Sequence, residues 1–137
     1  MNAPADEFTV KEASALLGVS DDTVRRWAEA GRLTLAAGAN GRSVVAGEQL
    51  AALAQELAAE SALAEAFPAS KASARNRLTG LVTKVTKDGV MAQVELQAGP
   101  FRIVSLMSRE AADELGLKPG TLATASVKAT TVVVELP

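Results

Sequence analysis

Two short segments of this chain carry residue types that can hold a tetrahedral oxyanion. The first contains Ser73, Ala74, Arg75 and Asn76, and the second, much later, reads Ser126-Val127-Lys128-Ala129-Thr130. Each combines one cation with polar side chains and with small residues that leave backbone N–H groups accessible. Such donors replace the water that an oxyanion loses on binding. The chemistry alone therefore indicates an anion site, and a polar linker that runs into a strand is the alternative interpretation of the first segment.

The composition limits the other chemistry that the chain can perform. Its 137 residues include no Cys and no His. This removes disulfides, thiolate nucleophiles, soft metal sites and the usual general base. No carboxylate pair or Lys/Ser dyad stands out by its spacing. We therefore predict that the protein is not an enzyme and has no catalytic residue and no metal site. The length of the chain suits one ordinary domain or two small ones.

Charge divides the chain into two parts. Residues 1–60 carry five basic and nine acidic side chains, whereas the remainder carries nine basic and seven acidic ones. The acidic part is unfavourable for DNA binding, which depends largely on neutralising phosphates. No apolar run is long enough to span a membrane, and the N-terminus is acidic, unlike a basic signal peptide. We expect a cytoplasmic protein with no membrane partner.

The beginning of the chain has the pattern of two short helices. Thr9, with Glu12 three residues later, forms a capping box that predicts a helix ending at Gly18. Ser20 is a good N-cap for a second helix, which we expect to end at Gly31. Two helices separated by so short a turn predict a helix-turn-helix.

The following residues predict a hairpin and a third helix. Strands at 33–35 and 43–45, joined by a Gly-rich turn, would form a wing. Leucines at helical spacing predict a helix over roughly 48–66.

From residue 78 the pattern changes from helix to strand. Five strands with one helix after the third are typical of a small closed barrel of the OB type. Ser108 precedes that helix and is better interpreted as its N-cap than as an anion ligand. The predicted strands cover about 78–85, 90–96, 101–107, 121–128 and 131–136, and the helix covers 109–115.

Residues 72–136 resemble the Mop (TOBE-type) molybdate-binding domain, most clearly in Ser73–Gly80, Ala111–Gly120 and Val127–Thr130. The resemblance implies a β-barrel whose only ligand is molybdate or tungstate. It also implies binding at subunit interfaces, and hence a homo-oligomer, from a dimer up to a hexamer. The residues that it implies as oxyanion-binding are Ser73, Ala74 (backbone), Arg75, Asn76, Lys128, Ala129 (backbone) and Thr130.

Residues 8–53 resemble the MerR/excisionase type of winged helix, through Phe8–Ser20 and Thr23–Leu33. In that family the second helix enters the major groove and the wing contacts the DNA backbone. Trp27 is in register with Val24 and is expected in the core. The residues that the resemblance implies as DNA-binding are Ser20, Asp22, Thr23, Arg25, Arg26 and Arg42.

Together these patterns predict an α+β protein with an N-terminal winged helix-turn-helix and a C-terminal five-stranded OB-like β-barrel. The expected domains are 1–67 (helix-turn-helix with a trailing helix), 68–72 (linker) and 73–137 (Mop/TOBE domain). Two such motifs in one chain predict a molybdate-responsive, DNA-binding transcription regulator. The alternative, favoured by the acidic first part, is an intracellular molybdate-binding or storage protein whose helix-turn-helix serves protein interaction.

Overall fold

The N-terminal elements form a small sheet surrounded by helices. The computed structural model describes residues 6–68 and 72–137, and the chain divides into two units, residues 1–68 and 69–137. Most of the predicted linker, 68–72, lies outside the described residues. The elements of the first unit are β1 (Glu7–Thr9), α1 (Val10–Leu17), α2 (Asp21–Glu29), β2 (Ala36–Ala37), β3 (Ser43–Ala46), α3 (Gly47–Ala59) and α4 (Ala62–Ala66).

The starts of α1 and α2 are set by the predicted caps. The Thr9 hydroxyl accepts from the N–H of Glu12, whose carboxylate accepts from the N–H of Thr9. This capping box holds the pKa of Glu12 below its usual value, chiefly through the backbone N–H. Gly18 ends α1 with a φ of 70°, a conformation that glycine adopts without strain. Ser20 caps α2 by accepting from the N–H of Thr23, as predicted.

The wing is present, but its first strand lies later than predicted. β2 covers 36–37 instead of 33–35, because Leu33 is buried in the core and Thr34 donates its N–H to the side chain of Gln49. β3 pairs antiparallel with β2 and also with β1, a strand that the sequence pattern did not predict.

The predicted helix over 48–66 is divided into α3 and α4. Glu60 ends α3, and Ser61 leaves the helical conformation with a ψ of 143°. The Ser61 hydroxyl then accepts from the N–H of Ala64 at 3.1 Å and begins α4. A residue that caps one helix cannot also continue the previous one, so the helix is interrupted here.

The core of the first unit is formed by residues of α1, α2, β3 and α3 together with Leu33. Trp27 packs against this core from its edge, as predicted. The buried members are Val10, Ala13, Val24, Leu33, Val45, Leu50 and Leu53.

The second unit is a curled antiparallel sheet with one short helix. Its strand order is β6-β5-β4-β7, which leaves β6 and β7 as the two edges. The α+β fold class, with an OB-like sheet after a helix-turn-helix, is confirmed. The elements are β4 (Asn76–Lys87), β5 (Met91–Ala98), β6 (Phe101–Ser108), α5 (Arg109–Glu114), β7 (Leu122–Val127) and a 3₁₀ turn (Ala129–Thr131).

The predicted fifth strand of the barrel, 131–136, does not form within the chain. Val132 is extended, with φ −81° and ψ 124°, but residues 132–137 pair with no strand of the described chain. Extended residues become a strand only where another strand offers free N–H and C=O groups. Here the tail reaches neither edge of the sheet, so Val133 and Val134 are 88% and 87% exposed.

Close approach of two strands shapes the sheet at Gly80. A Cβ at this position would overlap the Gln97 carbonyl oxygen and lie 2.8 Å from the Cα of Ala98. The register of β4 against β5 shifts just beyond it, between Val82 and Lys84. Glycine is therefore required for the sheet to curl here. Within residues 6–68 and 72–137, no helix is long and apolar enough to cross a membrane.

Candidate anion site and nucleic-acid interface

Antiparallel pairing of β4 with β7 brings the two predicted anion-binding segments together. The last pair in this register joins Asn76 to Val127. Arg75 comes immediately before this pair and Lys128 immediately after it, so both cations lie at the same end of the two strands. The segments are far apart in sequence, and only the long-range pairing makes them neighbours.

The side chain of Asn76 ties the two segments to each other. Its amide nitrogen donates to the carbonyl oxygen of Val127 at 3.1 Å, in a partly buried position. One N–H of the amide is used in this way, and an Asn amide carries two. Asn76 thus fixes the start of the Lys128–Thr130 segment.

A tight turn shapes the second segment. The carbonyl oxygen of Lys128 accepts from both the N–H and the hydroxyl of Thr131, each at 2.9 Å. The N–H groups of Ala129 and Thr130 have no acceptor among the described residues, as is usual at the start of a helical turn. Two neighbouring N–H groups and the exposed Lys128 ammonium therefore form an array of donors.

The two cations beside the Asn76–Val127 pair lack an acidic partner within residues 6–68 and 72–137. In the described part of the chain, neither Arg75 nor Lys128 has a carboxylate within ion-pair distance. Other cations of the same unit are paired, since Arg102 contacts Glu95, and both Lys87 and Arg109 contact Asp113. The hydrogen bond from Lys87 also lowers the pKa of Asp113.

The other predicted residues of this region are also placed. Ser73 is exposed and Ala74 is half-buried, just before β4. Ser108 accepts from the N–H of Ala111 at 3.1 Å and is the N-cap of α5, as predicted. The arrangement as a whole offers hydrogen-bond donors and positive charge, which suits the binding of an anion.

Hydrogen bonds link three of the predicted DNA-binding residues at α2: Ser20, Thr23 and Arg26. The hydroxyls of Ser20 and Thr23 are 3.0 Å apart, and Arg26 Nη2 donates to the Thr23 hydroxyl at 3.0 Å. This contact holds the guanidinium against the helix and leaves its other N–H groups available. Arg26 is thus partly fixed before any ligand binds.

The three remaining predicted DNA-binding residues are exposed. Asp22 lies four residues before Arg26, so the two share one face of α2. Asp22, Arg25 and Arg42 form no side-chain hydrogen bond or ion pair within the described ranges. Arg42 lies in the turn between β2 and β3, next to Gly41, apart from α2 in sequence.

Sequence reasoning missed the role of Arg32. Its guanidinium carbon lies 5.5 Å from the centre of the Trp27 ring, and Nη2 lies 3.5 Å from Glu56 and 3.8 Å from Glu60. Arg32 thus links the end of α2 to the end of α3. No local signal predicts this, because its acidic partners are far away in sequence.

The fold and the two surfaces define a class of binding protein: a winged helix-turn-helix unit followed by an OB-like sheet with a cationic, donor-rich end. Residues 72–134 match the TOBE domain family, and residues 7–58 match a family described as a helix-turn-helix domain. The matched families are those of binding domains, in agreement with the prediction of a protein that is not an enzyme.

Relatives extend the match. The chain is 43% identical over 63 residues to molybdenum-pterin-binding protein 3 of Clostridium pasteurianum, covering 45% of this chain and 93% of the relative. It is 41% identical over 66 residues to the molybdenum-pterin-binding protein MopA of Rhodobacter capsulatus, 47% of this chain and 25% of that protein. A molybdate-binding protein structure from Sporomusa ovata is 33% identical, covering 49% of this chain and all of that one, with a TM-score of 0.47. The chain belongs to the Mop family of TOBE-domain proteins.

Proposed function

We propose that this protein is a molybdate-responsive, DNA-binding transcription regulator. Its C-terminal unit binds molybdate or tungstate, and its N-terminal unit binds DNA. The observation that carries the proposal is the pairing of Asn76 with Val127, which brings Arg75 and Lys128 to one end of the sheet. Neither cation has a neutralising carboxylate among the residues that the structure describes. The names of the curated relatives, molybdenum-pterin-binding proteins, support molybdenum as the element bound.

The ligand is a bare oxyanion rather than a pterin complex. A pterin ring needs an aromatic platform, and Phe101 is the sole aromatic residue of 69–137. A tetrahedral dianion needs N–H groups, hydroxyls and cations, and charge-assisted contacts of this kind are the strong ones. Molybdate is larger than sulfate, so donors at fixed positions reach its oxygens with less strain. The proposed ligands are Ser73, Ala74, Arg75, Asn76, Lys128, Ala129 and Thr130.

The exposed tail supports a homo-oligomer. An apolar cavity of about 310 Å³ opens between the edge strands β6 and β7, lined by Leu96, Ile103, Met107 and Ala125 among others. Residues 132–136 are mostly aliphatic, and Leu136 is 93% exposed. Exposed aliphatic side chains and unpaired strand edges favour association. We infer that the tail of one copy occupies this opening in another, so that the anion site lies next to the subunit interface.

Oligomerisation would also make DNA binding effective. One head of this kind is acidic overall and would bind phosphates weakly. Several heads on one assembly would bind with an avidity that a single head lacks. An oxyanion that favours one assembly over another would then change the affinity for DNA, and by linkage DNA would change the affinity for the oxyanion.

The test has two stages. Calorimetric titration of the full chain with molybdate, tungstate and sulfate, with mass measured by light scattering, should show binding of the first two ions by an oligomer. Genomic DNA fragments selected on the protein would then be measured by fluorescence anisotropy with and without saturating molybdate. Equal DNA affinity in both conditions would contradict a molybdate-responsive regulator.

A second candidate function rests on the acidic side chains of the first unit. Asp22 shares the exposed face of α2 with Arg26, and residues 1–60 carry more acidic than basic groups. These features favour a molybdate-binding or storage protein whose helix-turn-helix contacts another protein. Loss of DNA retention in Arg26→Ala, with molybdate binding unchanged, would count against this alternative.

A further inference from the structure

The outward face of the β4–β7 pair carries more positive charge than the proposed ligands account for. Alternate residues of a strand lie on the same face. Arg77 and Thr79 of β4 therefore share a face, and the strand register places Arg77 directly opposite Ser126. Arg75 lies two residues before Arg77, just outside β4. Arg75, Arg77 and Ser126 are all exposed.

The unpaired cations of this unit are concentrated at one end. Within residues 72–137, the cations without a carboxylate at ion-pair distance are Arg75, Arg77, Lys84, Lys118 and Lys128. Three of these lie next to the Asn76–Val127 pair that ends the paired strands: Arg75, Arg77 and Lys128. Like charges that lie close together repel one another and are destabilising without a counter-ion. This concentration favours an anion at that place.

Hydrogen bonding shows which side chains on this face are already paired with each other and which are available to a ligand. On the next position along the face, the hydroxyls of Thr79 and Thr124 are 2.9 Å apart and bond to each other. The Ser126 hydroxyl has no hydrogen-bond partner in the part of the chain that the structure describes. Ser126 and Arg77 are thus available to a ligand, whereas the threonine pair beyond them is satisfied.

We propose that Arg77 and Ser126 extend the anion site, and that Arg77 makes it selective for dianions over monoanions of the same shape. The inference rests on the proposed function, because it concerns the same site. The ligand class is a tetrahedral dianionic oxyanion, whose oxygens meet Arg75 and Lys128 on one side and Arg77 with Ser126 on the other.

The charge of the ligand allows a sharp test. Coulomb energy scales with the product of the charges. Removing one cation therefore costs a dianion twice the binding free energy that it costs a monoanion. Perrhenate is a tetrahedral oxyanion close in size to tungstate, with one negative charge fewer. The fold-loss in molybdate affinity should then be the square of the fold-loss in perrhenate affinity.

The experiment is calorimetry on the full chain at fixed ionic strength, with molybdate titrated directly and perrhenate measured by displacement. Arg77→Gln should weaken molybdate binding about tenfold and perrhenate binding about threefold, the loss expected for one charged contact. Lys84→Gln is the matched control, because Lys84 is an exposed, unpaired cation on the same strand. It should change either affinity by less than about twofold, as for a distant surface charge.

Two further variants separate charge from structure. Arg77→Lys keeps the charge and should keep the preference for the dianion. Ser126→Ala removes one uncharged donor and should weaken the binding of molybdate by less than Arg77→Gln does. Without anion, Arg77→Gln should unfold at the same temperature as the wild type or slightly higher, because one of three clustered cations is gone.

The outcomes distinguish this inference from the function on which it rests. If Arg75→Gln abolishes molybdate binding but Arg77→Gln behaves like Lys84→Gln, the extended site is wrong and the proposed function stands. Equal fold-losses for molybdate and perrhenate in Arg77→Gln would overturn the charge-selective role. If the wild-type chain binds neither ion, both proposals fail.

Discussion

The bond between Asn76 and Val127 gives the most direct test of how the anion site is held together. Asn76→Leu keeps a side chain of similar size and branching and removes only the amide. The variant leaves the Val127 carbonyl oxygen without the donor that now lies 3.1 Å away. We expect two effects, one on the stability of the unit without ligand and one on anion affinity.

The size of the first effect follows from the geometry. A hydrogen bond of normal length between neutral groups contributes about 1 kcal/mol net, and the partly buried carbonyl adds to its cost when it is left unpaired. For a unit of this size, about 1 kcal/mol lowers the unfolding temperature by roughly 4–8 °C. Anion affinity should fall about tenfold, because a misplacement of one segment forfeits about one charged contact.

The assay compares thermal unfolding and calorimetry for Asn76→Leu and Thr83→Val. Thr83 lies on the same strand and also donates to a carbonyl oxygen, that of Glu95 at 3.3 Å, but away from the site. Thr83→Val should lower stability slightly and leave anion affinity unchanged. If Asn76→Leu loses affinity without any loss of stability in the ligand-free protein, Asn76 is a direct ligand only. If it loses neither, the two segments are held by the strand pairing alone.

Three other changes have defined outcomes. Gly80→Ala should lower the free energy of unfolding of the second unit by about 1–3 kcal/mol, because the added Cβ forces the strands apart, and denaturant titration would measure this. The Asp88 carboxylate accepts hydrogen bonds from the N–H groups of Met91 and Val90. These bonds, the one from Met91 most strongly, lower the pKa of Asp88 below 3.8. The stabilisation is therefore present above pH 3.8 and is lost as pH falls through the lower folded-state pKa, so Asp88→Asn should flatten the acid limb of a stability–pH profile. A chain ending at Thr131, without the tail, should sediment as a smaller species than the full chain, and unchanged mass would refute the role of the tail.

Local signals in the sequence were sufficient for the ends of the helices. Thr9, Ser20 and Gly18 act through atoms only a few residues away, so their types alone predict where α1 and α2 begin or end. The β2 strand was misplaced for the opposite reason. Whether Thr34 continues a strand depends on Gln49, which reaches it from α3.

The anion site also depends on contacts between residues that are far apart in the sequence, which local signals do not predict. The residue types of Ser73–Asn76 and Lys128–Thr130 predict oxyanion chemistry, but their proximity follows from the register of β4 against β7. The bond from Asn76 to Val127 depends on that register as well. The position of Arg77 beside the site could have been anticipated, since it follows Asn76 directly in the sequence.

The predicted fifth strand failed for a reason that bears on function. Residues 131–136 have the composition of a strand, yet they pair with no strand formed by residues 6–68 or 72–137. The tail begins just after Lys128–Thr130, so the residues proposed to hold the anion also lead into the segment proposed to hold a second copy. An anion that fixes Lys128 and Thr130 would remove conformational freedom from the start of the tail, and tail docking would do the same for the anion site. Each event then lowers the entropic cost of the other, which gives positive coupling without a separate relay.

The coupling is reciprocal, so diluting the protein until the oligomer dissociates should weaken molybdate binding, and saturating molybdate should shift that dissociation to lower protein concentration. An anion affinity that is independent of protein concentration across the dissociation range would separate the two events and refute the coupling.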